Sequence, residues 1–170
     1  VGTRCTPRNT TSPINNAIIP FSPIAPNGAP LTMDAPDYSL DALRKTSVGT
    51  INELLGVEVT EAERGRIVGT MPVSDKNVQP YGILHGGASV VLAETLGSIG
   101  SALVAVETGK RAVGLEVNAN HVRPAPKGTL VTGEAVLAHE GRRIHVWQIT
   151  LRNEAGKPTC LCRLTVSLID

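Results

Sequence analysis

The sequence predicts an α+β fold in which one long helix packs against a strongly curved antiparallel sheet. Three observations carry this prediction. From Gly86 to about Val106, small and apolar residues recur with helical spacing, and the run closes at Gly109. Between residues 111 and 169, four runs alternate apolar and polar side chains. The connections between these runs are short and rich in turn residues, which favours consecutive strands arranged as an antiparallel meander.

Two shorter elements precede the long helix. Ser39 to Leu55 is expected to be one helix, because Ser39 is a suitable N-cap, an imperfect apolar stripe follows, and Gly56 is a plausible stop. Val57–Thr60 and Arg66–Val73 then alternate as a short hairpin, joined by a charged turn over 61–65. Residues 74–84 are predicted to form a loop.

The four later strands are predicted over Arg111–Val122, Thr129–His139, Arg143–Arg152 and Thr159–Ile169. In the first strand, Val113, Leu115, Val117 and Ala119 are expected on one face, with Glu116, Asn118 and Asn120 on the other. On the long helix, a stripe of small residues (Ala93, Gly97, Gly100 and Ser101) would let the backbone of the sheet approach closely.

Composition bounds the class of protein. A chain of 170 residues is one domain, or one domain with a tail, and a net charge of +1 gives no reason to expect nucleic acid or an anionic membrane as partner. Three cysteines without a disulfide pattern fit a reducing, cytoplasmic location. Cys160 and Cys162 share a strand face, and we expect buried packing residues there rather than a metal or redox pair.

Residues 1–36 differ from the rest, since they hold seven of the twelve prolines and no acidic residue before Asp34. This composition predicts a disordered leader or an appended tail ahead of a folded domain over 37–170. Three origins stay open: a transit-like segment, an appended or upstream-translated leader with Met33 as the natural start, and a genuine linker. The second is favoured, because the pattern of the folded domain begins just after Met33.

Ala88 to Val106 is the only candidate membrane span in the sequence. Glu94 lies within it, and an acidic residue near the centre of a span costs on the order of 3 kcal/mol. A helix that is apolar on nearly all sides is otherwise buried on nearly all sides, so we expect a core helix and no membrane.

The same stretch carries the functional signal. A lone carboxylate inside an otherwise uncharged helix is expensive to bury, and catalysis is a common reason for one. Gly86 and Gly87 open the helix, where unpaired N–H groups can stabilise an oxyanion by about 3 kcal/mol. Glu94 lies two turns beyond Gly87, about 10 Å away, which is too far for both to hold one carbonyl. If they act together, the site is shared across a two-fold dimer, and Ser98 could then position a water.

Simpler interpretations stay open for each of these residues. His85 could merely cap the helix, Glu94 could be a structural carboxylate bonded across a subunit interface, and Gln79 could be an ordinary loop residue. The four histidines show no metal-ligand spacing, so no zinc site is expected. The sequence holds no Gly-x-Ser-x-Gly elbow, no P-loop and no dinucleotide fingerprint.

The run from Leu84 to Glu94 (LHGGASVVLAE) closely resembles the signature of hotdog-fold acyl-CoA thioesterases. The resemblance is to the branch with the glutamate-type 4-hydroxybenzoyl-CoA and phenylacetate-pathway thioesterases, and most of all to members that act on 1,4-dihydroxy-2-naphthoyl-CoA in menaquinone biosynthesis. It extends from about Leu40 to Ile169 through further matches: Met71–Val73, Gln79-Pro80, Gly114–His121, Val146–Ile149 and Ser167. Tyr81 stands where relatives often carry Phe.

The resemblance implies a hotdog fold, a homodimer that often pairs into a tetramer, and hydrolysis of an aromatic acyl-CoA without a cofactor or metal. Glu94 would be the nucleophile or the base for water, Gly86 would donate its N–H to the thioester oxygen, Gln79 and His85 would orient that carbonyl, and Ser98 would assist the water. CoA would contact Gly114, His121, Val122, Arg123, Pro124, Gly141, Arg142 and Arg143. The alternatives are a non-catalytic acyl-CoA sensing module and a hotdog dehydratase.

Overall fold

The structure, a computed structural model, describes residues 39–170, so the predicted leader over 1–36 lies outside the described residues. One six-stranded antiparallel sheet, in the order β1-β2-β4-β5-β6-β3, packs against a long helix, α3. The predicted α+β architecture is confirmed. The elements are α1 (Leu40–Ser47), α2 (Ile51–Leu55), β1 (Glu58–Glu63), β2 (Arg66–Pro72), α3 (Gly86–Val106), β3 (Arg111–His121), β4 (Leu130–Glu140), β5 (Ile144–Asn153) and β6 (Pro158–Ile169).

Helix α3 has the predicted bounds and is the core helix of the domain. By length and hydropathy it could cross a membrane, but 56% of the apolar window is buried inside the chain. Its buried residues pack against the sheet, where Trp147 and Leu164 are fully buried. A Cβ at Gly100 would overlap the Trp147 ring, and one at Gly97 would lie 2.6 Å from Leu164. The small stripe therefore accommodates large side chains of the sheet rather than its backbone.

The predicted single helix over 39–55 is wrong, because it is broken into α1 and α2. Gly49 has a left-handed φ of 74°, which glycine adopts without steric cost. Thr50 then restarts the chain as an N-cap, accepting a hydrogen bond from the N–H of Asn52 at 3.2 Å. Ser39 caps α1 and Gly56 ends α2 in the left-handed conformation, as the sequence predicted.

The predicted charged turn over 61–65 is also wrong, because only Arg64 and Gly65 form the turn. Glu61 is still in β1, where its carboxylate pairs with Arg66 of β2 at 2.6 Å. Arg66 also reaches Glu134 of β4 at 2.7 Å, so one guanidinium connects three strands.

The order of the later strands departs from the predicted meander. Strands β4, β5 and β6 follow one another, but β3 does not pair with β4. Instead β3 lies at the far edge beside β6, and β2 takes the place next to β4. The connection after β3 crosses one end of the sheet, and two backbone hydrogen bonds hold it there. The N–H of Val122 donates to the carbonyl of Thr159 (2.9 Å), and the N–H of Gly128 donates to the carbonyl of Val73 (2.8 Å).

The predicted faces of β3 are only half right. Pairing with β6 shifts register between Gly114 and Glu116, which leaves Leu115 as an extra residue in a bulge. After the bulge Val117 and Ala119 pack against the core as expected. Before it the alternation is reversed, so Ala112 packs inward while Val113 and Leu115 are 47% and 60% exposed.

Cys160 and Cys162 are both buried on the core face of β6, with their Sγ atoms 3.4 Å apart. The prediction that they are buried packing residues is confirmed.

Candidate active site

The start of α3 is organised by His85. Its Nδ1 accepts a hydrogen bond from the N–H of Gly87 at 2.9 Å, so the histidine does cap the helix. In a neutral ring this leaves the proton on Nε2, which becomes a donor. The N–H of Gly86 donates to no group within residues 39–170. Capping and donation to a ligand are therefore compatible roles for this histidine.

The loop before α3 is held in place from both sides. The N–H of His85 donates to the carbonyl of Asn77 at 2.8 Å. The Asn77 side chain is buried, and its amide donates to the carbonyl of Pro72 at 2.8 Å. Gln79 accepts from the N–H of Tyr81 through Oε1 at 2.9 Å, which leaves its NH₂ group without a partner among the described residues. The Gln79 amide is thus pre-oriented as a donor.

A groove of about 490 Å³ opens at this end of α3. It brings together predicted residues from three parts of the sequence: Gln79, Gly86 and the stretch from His121 to Pro124. The His121 ring lies directly against Gly86, since a Cβ at Gly86 would be 2.9 Å from its Nε2. The remaining lining residues are Ile83, Leu84, Ser89, Ala125 and Thr159.

Glu94 does not border this groove. Its carboxylate lies beside Gly114 of β3, where a Cβ would be only 2.8 Å from Oε1. In the single chain Glu94 is exposed, so the expectation of a buried acid is wrong at this level of assembly. Within residues 39–170 it has neither an ion pair nor a hydrogen bond. An unengaged carboxylate is free to act on a ligand.

The predicted site residues therefore fall into two groups in one chain. Gly86 and Glu94 are eight residues apart on a continuous helix, about 12 Å at 1.5 Å per residue. Ser98 is one turn beyond Glu94, on the same side of the helix. Glu94 and Ser98 do not line the groove that holds Gln79 and Gly86.

The turn at Gly141, Arg142 and Arg143 lies beside the start of β3 and the end of β6. Lys110, which directly precedes β3, donates through Nζ to the carbonyl of Arg142 at 2.9 Å. The N–H of Leu168 donates to the carbonyl of Arg143 at 2.8 Å. Both arginines are exposed, and neither pairs with a carboxylate in the described part of the chain. Two unpaired guanidinium groups are suited to phosphate.

Sequence reasoning missed three residues of this region: Asn77, Ser89 and Thr159. Asn77 orders the loop, and the other two are buried hydroxyl residues that border the groove. No local pattern distinguishes them, because their burial depends on contacts between distant segments. Across residues 39–170 no group of three His, Cys, Asp or Glu side chains is placed to hold a metal ion.

Comparison with known proteins decides the family. Residues 81–160 match the family model of the Thioesterase superfamily. The proofreading thioesterase EntH of Klebsiella pneumoniae is 41% identical over 133 residues, which span 78% of this chain and 96% of that protein. The chain belongs to the thioesterase superfamily. This thioesterase has the hotdog fold that the sequence resemblance implied, and it is a thioester hydrolase.

Two further relatives bear on the site of this thioesterase. The 1,4-dihydroxy-2-naphthoyl-CoA hydrolase of Escherichia coli is 41% identical over 131 residues, which span 77% of this chain and 95% of that protein. A Staphylococcus aureus thioesterase has been solved as a glutamine-to-alanine variant (39% identity, TM-score 0.68, covering 71% of this chain and 98% of that one). The same protein was solved as a glutamate-to-alanine variant (41% identity, TM-score 0.67, covering 70% of this chain and 98% of that one).

Proposed function

We propose that this thioesterase hydrolyses an aromatic acyl-CoA to the free acid and CoA at a site formed between two copies of the chain. One observation carries the proposal: the free amide of Gly86 and the unengaged acid of Glu94 lie at two separate places in one chain. Each would be half of a thioester-cleaving site, and within residues 39–170 neither group has a hydrogen-bond or ion-pair partner.

The groove would hold and polarise the thioester. The N–H of Gly86, at the positive end of α3, would donate to the carbonyl oxygen as negative charge develops on it. His85 Nε2–H and the NH₂ group of Gln79 would orient that carbonyl. Glu94 of the other copy would attack the carbonyl carbon directly, or would take a proton from an attacking water held by Ser98. On the first route the acyl group moves to the Glu94 carboxylate as a mixed anhydride, the C–S bond breaks, and the CoA thiolate takes a proton from solvent; a water then hydrolyses the anhydride and releases the free acid. On the second route the hydroxide left from the water adds to the carbonyl carbon, the C–S bond breaks, and the proton held by Glu94 passes to the CoA thiolate.

Strand β3 offers the way to join two copies. It is an edge strand whose outer side has no partner strand among residues 39–170, and it carries exposed Val113 and Leu115. Gly114 lies beside Glu94, while His121 lies beside Gly86. Antiparallel pairing of two β3 strands about Asn118, with Leu115 left out as the bulged residue of each strand, would set Gly114 of one copy opposite His121 of the other. Glu94 would then approach Gly86 of the second copy, and such dimers could pair into tetramers.

The Staphylococcus aureus protein supports the assignment of Gln79 and Glu94 to the proposed site. The glutamine and the glutamate replaced in its two variants are fifteen positions apart, as are Gln79 and Glu94. For CoA, the groove stretch His121–Pro124 and the free Arg142 and Arg143 supply contacts, and Gly114 leaves room beside Glu94.

The name of the Escherichia coli relative supports an aromatic acyl group. With 1,4-dihydroxy-2-naphthoyl-CoA as substrate, the enzyme would act in menaquinone biosynthesis in the cytoplasm.

The proposal is tested by thiol release from a panel of acyl-CoA esters, including benzoyl-CoA and 1,4-dihydroxy-2-naphthoyl-CoA. We expect aromatic esters to have the highest kcat/KM. Glu94→Ala should lower kcat on the order of 10³-fold, because an acid/base or nucleophilic group is lost. Glu154→Ala, in the β5–β6 turn, is the control and should keep full activity. Wild-type protein that binds acyl-CoA without releasing thiol would instead be a sensing module.

A further inference from the structure

Thr159 occupies an unusual position in the sheet. Where β5 pairs with β6, Leu151 is opposite Cys160 but the next residue, Arg152, is opposite Pro158. Thr159 therefore has no residue opposite it and forms a β-bulge. Bulges redirect the side chain of the extra residue, and they are over-represented next to active sites.

The Thr159 side chain is buried without a hydrogen-bond partner. The residue is 4% exposed, and within residues 39–170 its Oγ1 is the one buried side-chain nitrogen or oxygen atom that makes no hydrogen bond. A buried hydroxyl that is left unpaired is destabilising, whereas an apolar group of the same shape is not. Valine has that shape. Threonine at this position therefore points to a use for the hydroxyl that the free chain does not show.

Thr159 is one of the residues that border the candidate active site. Thr159 lines the same groove as Gly86 and His121. Its backbone carbonyl accepts hydrogen bonds from the N–H groups of Val122 (2.9 Å) and Arg123 (3.2 Å), so it also fixes the segment that forms one wall. Ser89, 5% exposed, borders the groove as well, and its hydroxyl bonds to no described residue. The other walls are largely apolar.

We propose that Thr159 is a substrate-binding residue whose hydroxyl forms a hydrogen bond with a polar group of the thioester substrate in this groove. The inference rests on the proposed function, since it takes the groove as the thioester site. Two parts of an aromatic acyl-CoA carry a suitable group: a hydroxyl on the acyl ring, and an amide of the pantetheine arm. Threonine hydroxyls both donate and accept, so either group can pair with it.

The test compares Thr159→Val with Thr159→Ser. Valine keeps the shape and removes the hydroxyl, whereas serine keeps the hydroxyl. We expect Thr159→Val to melt at the same or a higher temperature than the wild type, yet to lose about tenfold in kcat/KM. Thr159→Ser should recover most of that loss. Thr165→Val, in the same strand but outside the groove, should leave kcat/KM unchanged.

Two further arms identify the paired group. A loss confined to 4-hydroxybenzoyl-CoA, with benzoyl-CoA unaffected, would place the hydrogen bond on the acyl ring. An equal loss for both esters, together with weaker inhibition by free CoA, would place it on the pantetheine arm. Both results support the proposal. Unchanged kcat/KM and unchanged CoA inhibition in a better-folded Thr159→Val protein would overturn it.

The inference and the proposed function fail separately. If the wild type releases no thiol from any ester, the proposed function fails. Calorimetric binding of benzoyl-CoA, 4-hydroxybenzoyl-CoA and free CoA to wild type and Thr159→Val then still tests the hydrogen bond. Equal affinities of the two proteins for all three would overturn the role of Thr159.

Discussion

At the scale of single residues, the contact between Glu94 and Gly114 controls where the acid can lie. A Cβ at position 114 would come within 2.8 Å of Glu94 Oε1, which is closer than van der Waals contact allows. The carboxylate is the end of a flexible side chain, so it would move rather than prevent folding. We therefore expect Gly114→Ala to fold normally and to lower kcat about ten- to a hundredfold through misplacement of the acid.

A double-mutant cycle distinguishes misplacement of the Glu94 carboxylate from a loss of kcat that does not involve Glu94. In a Glu94→Gln background the same Gly114→Ala change should have little further effect on kcat, because the group that it displaces is already gone. Equal losses in both backgrounds would show that Gly114 acts without the acid.

His145 gives the fold a dependence on pH. It is fully buried beneath α3, 3.2 Å from the Ser101 hydroxyl, and burial lowers its pKa below the usual 6.5. Glu140 opposes that shift, while Arg64 and His139 add to it. A lowered pKa means that the unfolded chain binds the proton first. The contribution of neutral His145 to the free energy of unfolding is therefore complete above about pH 6.5. It is lost as pH falls towards the folded-state pKa of His145.

Urea unfolding at pH 7.5 and 5.5 measures this contribution. Wild-type stability should fall by up to about 1.4 kcal/mol per pH unit from this one group. His145→Gln should show a smaller fall between the two pH values, although it will be less stable overall. An equal pH dependence in both proteins would assign the effect to other groups.

At this scale the local sequence predicts candidate residues but not their surroundings. Gln79, His85, Gly86 and Glu94 stand in one short stretch whose chemistry can be read locally. The exposure of Glu94 in the single chain and the unpaired hydroxyl of Thr159 could not be predicted, because both depend on segments far apart in sequence.

Among the elements, α3 is positioned by Trp147. The ring fills the space beside Gly100, and its Nε1 donates to the Ser101 hydroxyl at 2.7 Å. Any side chain at position 100 would overlap the ring or push α3 off the sheet. We expect Gly100→Ala to lower the free energy of unfolding by about 1–3 kcal/mol, despite the better helix propensity of alanine. Chemical denaturation measures this.

Replacing Trp147 by a smaller side chain provides the control. In a Trp147→Leu background, which is itself destabilised, Gly100→Ala should cost less than in the wild type, because the added methyl group meets empty space. The same cost in both backgrounds would mean that the overlap is relieved elsewhere.

Element types were predictable where a pattern was long, as in α3 and in β4 to β6. Two of the errors arose where one residue interrupts a pattern. Gly49 divides the first helix, and the bulge at Leu115 reverses the faces of β3. The edge position of β3 was missed because strand order depends on which segments pair, and alternation within a strand carries no information on that.

For the whole molecule, the separation of the two half-sites makes a prediction about mixed assemblies. Glu94→Ala and Gln79→Ala should each be nearly inactive alone. After subunit exchange in equal amounts, half of the dimers would be hybrids with one intact site, so activity should recover to about a quarter of the wild-type value. Fluorescence transfer between labelled subunits confirms exchange. Proven exchange without recovery would show that the two residues do not act in one site across copies.

The segment over 122–129 has a consequence for how this thioesterase could change its substrate. It is fastened at Thr159 and at Val73, and between these ties it supplies Val122, Pro124 and Ala125 to one side of the groove. Under the proposed function this connector lines the substrate groove, and a connector that contributes few core residues can diversify without endangering the scaffold. Relatives with the same fold can therefore acquire different preferences for the acyl group. Grafting residues 122–129 from one such relative into another should transfer the acyl preference of the donor.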